Sequence, residues 1–253
     1  MRFRHNDLAD LDAKLAEHRV PRTLIVVDSL YSLVGDQAPI AGICDLADRY
    51  GAWVFLDDAH GCGVLGPGGR GLAHAAGVAD RVPVIMGVLS KSFASTGGFI
   101  AGSAELIDHL RFNARSYLYS NALAPAQAAA ALAVLDILAE EPTLPTRALE
   151  CADHARRELR KMGWRCAGDG SQMVPILLGD DVLAFKITQA LIAEGVLVSP
   201  AVHPGVPKGK DLLRIGFPPT MTEDEMERAL GAFATVAAQF PEALETTAIP
   251  AVA

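Results

Sequence analysis

Short apolar runs alternate with amphipathic stretches along the first part of the chain. The runs at 23–29, 52–58 and 82–89 are rich in β-branched residues and are bounded by proline or polar residues, which predicts buried strands. Between the first two, residues 40–51 place apolar side chains at helical spacing and stop at a glycine. Nearly continuous apolar strands that alternate with helices are typical of a mostly parallel sheet covered on both faces.

The pattern changes after a long alanine-rich helix predicted at 124–141, which leads to two prolines. We therefore predict a large α/β domain over residues 1–140 and a smaller α+β domain over 141–253. The tail after Pro241 is expected to be frayed. The remaining predicted elements are a strand at 97–103 and a helix at 104–116, then a helix at 146–163, strands near 173–178, 196–199 and 212–217, and helices near 181–194 and 222–238.

Composition narrows the class of protein. Of 253 residues, 51% are hydrophobic and 21% are charged, which predicts a packed core, and the net charge of −8 argues against nucleic acid or an anionic membrane as a partner. No apolar run approaches the ~20 residues of a membrane span, and the N-terminus lacks the apolar region of a signal peptide. Four cysteines without metal-type spacing are expected to be reduced thiols in a cytoplasmic protein, and we expect no metal site.

Three predicted strands end in reactive side chains. Ser32 follows the first strand, the sequence DDAH at 57–60 follows the second, and Lys91 follows the third. In open parallel sheets, ligands bind outside the carboxyl ends of the strands. A carboxylate, an imidazole and an amine are therefore expected to meet in one crevice.

Each of these features also has a simpler interpretation. Lys91 alone reads as a solvated loop residue, and the aspartates at 57–60 could cap a turn. His60 and Asp57 could bind a metal, but no second histidine lies nearby at ligand spacing. The glycine-rich 66–71 lacks the GK[ST] of a P-loop and does not directly open a helix, which favours a flexible turn.

The combination of the three strand ends fits one cofactor better than the separate interpretations do. A pyridoxal phosphate site needs a lysine amine for a Schiff base and a carboxylate that keeps the pyridine nitrogen protonated. It also needs hydroxyl and backbone N–H groups around the phosphate, which serine- and glycine-rich loops supply. The sequence offers all three at strand ends.

The motifs FLDDAHGCGVLGPGGRG and IMGVLSKSFASTGGFIAG, at 55–71 and 85–102, resemble those of the α-oxoamine synthases, a fold-type I pyridoxal phosphate family. The resemblance extends from FRHNDLADLDAKL near the start to LLRIGFPPTMTEDEMERAL near the end, and so covers almost the whole chain. It implies a mostly parallel sheet flanked by helices, with a smaller C-terminal α+β domain.

The resemblance also implies a role for individual residues. Lys91 matches the lysine that binds the cofactor covalently, Asp57 the partner of the pyridinium nitrogen, and His60 the histidine that hydrogen-bonds the phenolic oxygen. Ser32 matches a serine that contacts the cofactor. Arg214 matches the arginine that binds the substrate carboxylate, a role that suits a planar guanidinium.

The implied reaction is a condensation of an amino acid with an acyl thioester of coenzyme A or a carrier protein, usually with decarboxylation. The resemblance implies a homodimer, because sites of this family lie at the subunit interface. Ser120 and Asn121, in YSNALAP, match the segment that reaches the neighbouring cofactor. Ser90 is a further candidate for the cofactor phosphate.

Two departures from the family pattern leave alternatives open. Val88 stands where the family carries a threonine whose hydroxyl binds the phosphate, a loss of about 1.5–3 kcal/mol unless Ser90 or Ser92 compensates. The chain opens at a point that lies well inside the large domain of the family, so an exposed sheet edge and uncovered apolar surface are expected. The alternatives are a catalytically silent remnant or binding subunit, and an aminotransferase of the same fold type.

Overall fold

The computed structural model describes residues 1–244, which divide into two compact units. The first comprises residues 1–30 and 37–145, and the second comprises 31–36 and the residues from Thr146 onward. The expected fraying at the C-terminus falls mostly outside the described residues. The first unit contains α1 (Leu8–Glu17), β1 (Leu24–Asp28), α2 (Ile40–Tyr50), β2 (Trp53–Asp57), α3 (Leu72–Ala75), β3 (Val84–Val88), β4 (Gly98–Gly102), α4 (Ala104–Asn113), α5 (Arg115–Leu118) and α6 (Pro125–Glu140).

The sheet of the first unit has the strand order β1–β2–β3–β4. The first three strands are parallel, and β4 returns antiparallel to β3, which confirms a mostly parallel sheet. Alternate residues of β1 and β2, such as Ile25 and Leu56, are buried on one face of this sheet. Helix α2 supplies apolar residues to the same core and ends at Gly51, whose left-handed conformation (φ 65°) stops the helix as expected.

The other face of this sheet carries apolar side chains that the described residues leave uncovered. Leu24, Val26 and Trp53 are 52%, 57% and 55% exposed. The expectation of a sheet covered on both faces is therefore wrong for these strands, whereas the expected uncovered apolar surface is confirmed. Alternation along β1 still sets which side chains are buried, because successive residues point to opposite faces.

The side chains of helix α6 are also not buried within residues 1–244. Its sequence is apolar on all sides, yet none of its side chains is buried, and Leu132 is 61% exposed. Helices that are hydrophobic all round are normally buried. This surface is therefore suited to contact with another polypeptide.

The second unit has its own sheet and core. Its antiparallel strands have the order β5–β7–β6, and Trp164 packs edge-on against Phe233 at 5.7 Å between ring centroids. The strand expected near 196–199 lies slightly later, at Ser199–Ala201. No helix in the described part of the chain is long and apolar enough to cross a membrane. The elements are α7 (Leu144–Lys161), which begins just before the division, β5 (Met173–Leu177), α8 (Asp181–Ala193), β6 (Ser199–Ala201), β7 (Leu212–Gly216) and α9 (Glu223–Gln239).

Candidate functional site

Two carboxylates end neighbouring strands on the uncovered face of the first sheet. Asp28 and Asp57 are register partners in the parallel pair β1–β2, and both are half-buried. The backbone N–H of Ser29 donates to the carbonyl oxygen of Asp57 at 2.8 Å, so the pairing continues to the last residue of both strands. Asp57 was predicted from the sequence and Asp28 was not, although Asp28 also ends an apolar strand.

The segment after β2 turns back at once, and backbone hydrogen bonds fix its direction. The N–H of Ala59 donates to Oδ1 of Asp57 at 3.0 Å, which orients that carboxylate. The N–H of Asp58 donates to the carbonyl of Met86 on β3 at 2.8 Å. His60 lies within this turn and is half-buried.

Lys91 lies in a tight loop that joins β3 to β4. The N–H of Leu89 donates to the carbonyl of Gly97 at 2.8 Å, and the N–H of Ser95 donates to the carbonyl of Leu89 at 2.7 Å. The N–H of Ala94 donates to the carbonyl of Lys91 at 3.1 Å, so Lys91 opens a turn within the loop. The side chain of Lys91 is exposed, as is that of Ser90.

The charges of these residues influence one another. Burial raises the pKa of the Asp28 carboxyl above its usual range, the neighbouring Asp57 raises it further, and the ammonium of Lys91 lowers it. Asp28, the register partner of Asp57, therefore lies within electrostatic range of both Asp57 and Lys91. Two adjacent carboxylates favour the binding of a cationic group there.

Replacing Asp28 with asparagine is expected to change how stability depends on pH. The pKa of Asp28 is raised in the folded chain. The contribution of this carboxyl to the free energy of unfolding is therefore fully present below the unfolded pKa of about 3.9 and is lost as the pH rises through the folded pKa. The variant should therefore gain stability over the wild type as the pH rises above about 4. Urea unfolding across this range measures the difference, and parallel pH profiles would contradict it.

The loop of Lys91 holds a strained residue. Ala94 has φ 47°, in the left-handed region that costs a non-glycine residue about 1–2 kcal/mol. We expect Ala94→Gly to raise the free energy of unfolding by about 0.5–1 kcal/mol, because glycine's greater freedom in the unfolded chain offsets part of the gain. Ala94→Val should lower stability, since a β-branched residue adopts this conformation with more difficulty. Urea midpoints test both variants. A change of the midpoint in the same direction for both would contradict the strain at Ala94.

Two predicted site residues belong to the second unit. Ser32 lies on the turn 31–36, where a β-carbon at Gly35 (φ 70°) would lie 2.8 Å from Oγ of Ser171. Arg214 lies on β7 and is exposed, with Nη2 3.2 Å from Sδ of Met173. Within residues 1–244 the guanidinium pairs with no carboxylate, so a surface ion pair does not explain this residue.

The remaining positions that the sequence singled out are Ser120, Asn121 and Val88. Ser120 follows α5 on an exposed segment, and its hydroxyl donates to the carbonyl of Tyr117 at 3.5 Å. Asn121 is exposed beside it. Val88 ends β3 opposite Gly98 on β4, half-buried, and supplies no hydroxyl there. The roles of these residues toward a ligand stay predictions.

The glycine-rich segment 66–71 does open a helix, contrary to expectation. It forms a short 3-10 turn at Pro67–Gly69, and Gly71 is the N-cap residue of α3. A side chain at Gly71 would overlap the carboxylate of Asp58. The segment is therefore packed against the end of β2, which explains why glycine is required there.

Comparison with known proteins supports the relationship that these motifs suggest. The family model described as aminotransferase class I and II matches residues 1–233. The 8-amino-7-oxononanoate synthase of Anaeromyxobacter dehalogenans is 39% identical over 95% of this chain and 61% of its own length. The serine palmitoyltransferase of Bacteriovorax stolpii is 36% identical over 92% of this chain and 56% of its own length.

Solved structures agree with the sequence relatives. A serine palmitoyltransferase holding pyridoxal phosphate superposes with a TM-score of 0.91 at 31% identity, over 96% of this chain and 62% of the other. The Sphingomonas wittichii serine palmitoyltransferase gives a TM-score of 0.89 at 30% identity, over 95% and 61%. The chain thus spans about 60% of the length of these proteins, and the fold-type I architecture and the resemblance to α-oxoamine synthases are confirmed. The chain belongs to the aminotransferase class I and II family.

Proposed function

We propose that the chain carries the catalytic residues of a pyridoxal phosphate-dependent acyltransferase, which condenses an amino acid with an acyl thioester to give an α-oxoamine. The observation that carries this proposal is that Asp28 and Asp57 end paired strands and that Lys91 lies within electrostatic range of Asp28. The names of the relatives, 8-amino-7-oxononanoate synthase and serine palmitoyltransferase, support it.

The residues at the strand ends fit pyridoxal phosphate. One oxygen of Asp57 accepts the N–H of Ala59, and the other would accept a hydrogen bond from the protonated ring nitrogen. Asp28 adds a second carboxylate beside it, which favours the protonated ring. When bound, the cofactor supplies an electron sink for the carbanion at the substrate α-carbon.

The chain's own side chains would divide the remaining tasks. Lys91 would bind the cofactor through its amine and later hold the proton that moves at the substrate α-carbon, which requires a neutral amine. His60 would donate to the phenolic oxygen of the ring. Ser32, Ser90 and Ser120 would contribute hydroxyl groups to the cofactor.

Arg214 would bind the carboxylate of the amino-acid substrate. Its guanidinium is exposed and faces a methionine sulfur rather than a carboxylate in the described residues. A planar guanidinium binds a carboxylate in bidentate fashion, which fixes the orientation of the substrate as well as its charge.

We further propose a homodimer in the cytoplasm. The apolar helix α6, none of whose residues is buried, supports contact with a second polypeptide, since such helices are normally covered. The four cysteines are free thiols, which suits a reducing compartment.

A second candidate is a binding subunit without catalytic activity. The uncovered sheet face around Leu24, Val26 and Trp53 favours it, because an apolar face of this kind suits a docking surface. Val88, where the family carries threonine, also favours it. One experiment separates the candidates.

The experiment adds pyridoxal phosphate to the purified chain and follows its visible absorbance, then adds an amino acid with an acyl-coenzyme A and measures the thiol released. We expect a saturable band and a release of thiol that depends on the amino acid. Amino-group transfer without thiol release would instead indicate an aminotransferase. A chain that binds no cofactor would support the binding subunit.

A further inference from the structure

A buried carboxylate lies between the two residues proposed to contact the cofactor ring. Asp58 is 1% exposed, directly after Asp57 and two residues before His60. Its carbonyl accepts the N–H groups of Gly61 at 3.2 Å and Cys62 at 2.9 Å, which closes the turn. A side chain at Gly61 would overlap this carboxylate, so the turn packs tightly around it.

Asp58 has a specific partner in the turn. The thiol of Cys62 donates to Oδ2 of Asp58 at 3.4 Å. Burial and the nearby carboxylates raise the pKa of the thiol to about 12, so it keeps its proton and remains a donor. Asp58 also packs against the start of α3, since a β-carbon at Gly71, the N-cap residue of that helix, would overlap Oδ2 of Asp58. Asp58 therefore ties the end of β2 to both the turn and α3.

A second hydrogen bond connects this turn to the loop of Lys91. The hydroxyl of Ser92 donates to the carbonyl of Cys62 at 2.6 Å. A β-carbon at Gly63 would lie 2.5 Å from Oγ of Ser92, so only glycine lets the two loops approach so closely. The hydroxyl proton of Ser92 is thus engaged with the carbonyl of Cys62.

We propose that Asp58, Cys62 and Ser92 form a tether that positions Lys91 relative to Asp57 and His60. The tether links the end of β2 to the loop after β3 through two hydrogen bonds and a close glycine contact. Its members are positioning residues, because they hold the segments that carry the proposed catalytic side chains. The proposal deepens the proposed function and rests on it for its consequence, although the tether itself is a property of the chain alone.

The first test needs no cofactor. Hydrogen–deuterium exchange of the unloaded chain should increase about tenfold across residues 59–65 in Ser92→Ala, because one hydrogen bond to that turn is lost. Ser95→Ala is the matched control, because Ser95 lies in the same loop as Ser92 but its hydroxyl donates to the carbonyl of Gln127 on α6, at 2.8 Å. Its loss should leave the exchange of residues 59–65 unchanged. Ser92→Thr retains a hydroxyl and should restore the wild-type rate. Increased exchange confined to 90–97, or equal effects of Ser92→Ala and Ser95→Ala, would overturn the tether.

The second test measures positioning in the loaded protein. Ser92→Ala should shift the pH midpoint of the visible band, because the tether sets the distance of Lys91 from the carboxylates of Asp28 and Asp57. It should also weaken cofactor binding about tenfold, whereas Ser95→Ala should change neither quantity. An unshifted midpoint in Ser92→Ala overturns the positioning role. The wild type could bind no cofactor while Ser92→Ala still increases the exchange of residues 59–65. In that case the proposed function and the positioning role fail, and the tether stands.

Discussion

Replacing Lys91 with alanine is expected to abolish the visible absorbance that pyridoxal phosphate acquires on the wild-type chain. The variant loses the amine that binds the cofactor and the group that holds the proton at the substrate α-carbon. General acid–base groups contribute about 10²–10⁴-fold to a rate, so condensation should fall by at least that factor. Spectrophotometric titration and the thiol-release assay measure the two effects.

The matched control for this change is Lys186→Ala, which removes an exposed lysine of α8 in the second unit. It should retain the band and the rate of the wild type. Undiminished absorbance in Lys91→Ala would show that another lysine, or none, holds the cofactor.

Asp57→Asn is expected to weaken cofactor binding by about 10–100-fold, the cost of one charge-assisted hydrogen bond. Asparagine keeps the acceptor for the N–H of Ala59 but cannot stabilise a protonated ring nitrogen. The rate of condensation should fall further than the affinity, because a neutral ring is a poorer electron sink. The band, titrated in parallel with the rate, distinguishes the two losses.

Asp45→Asn provides a comparison of equal charge change away from the site. Asp45 is exposed and pairs with Arg81 at 2.7 Å, so its loss should have little effect on cofactor binding. If Asp45→Asn and Asp57→Asn weakened binding equally, a general loss of negative charge would explain both.

Much of the fold was predictable because apolar periodicity is strong in this chain. The strands at 24–28, 53–57 and 84–88 each lie within a predicted apolar run, and Gly51 ends α2 where its lack of a side chain allows φ 65°. The position of β6 was predicted a few residues too early. The apolar residues are at 196–198, but the residues that pair with β7 begin at Ser199.

The site was less predictable, because its finer contacts join residues distant in the sequence. Asp57, His60 and Lys91 could be singled out as strand ends, whereas the pairing of Asp28 with Asp57 requires the register of β1 on β2. The hydrogen bond from Ser92 to Cys62 spans 30 residues and follows no motif.

Covering of the sheet was misjudged for a different reason. An apolar run shows that a strand has two apolar faces, but it does not show what packs against each of them. Leu24 and Val26 are apolar residue types that are usually buried, yet they are exposed within residues 1–244.

The most direct test of the account is to locate the cofactor on the chain. The protein is incubated with pyridoxal phosphate, reduced with borohydride, digested and analysed by mass spectrometry. We predict a single pyridoxyl label on Lys91 at one equivalent per chain. A label distributed over the exposed lysines, or a chain that carries none, would contradict the account.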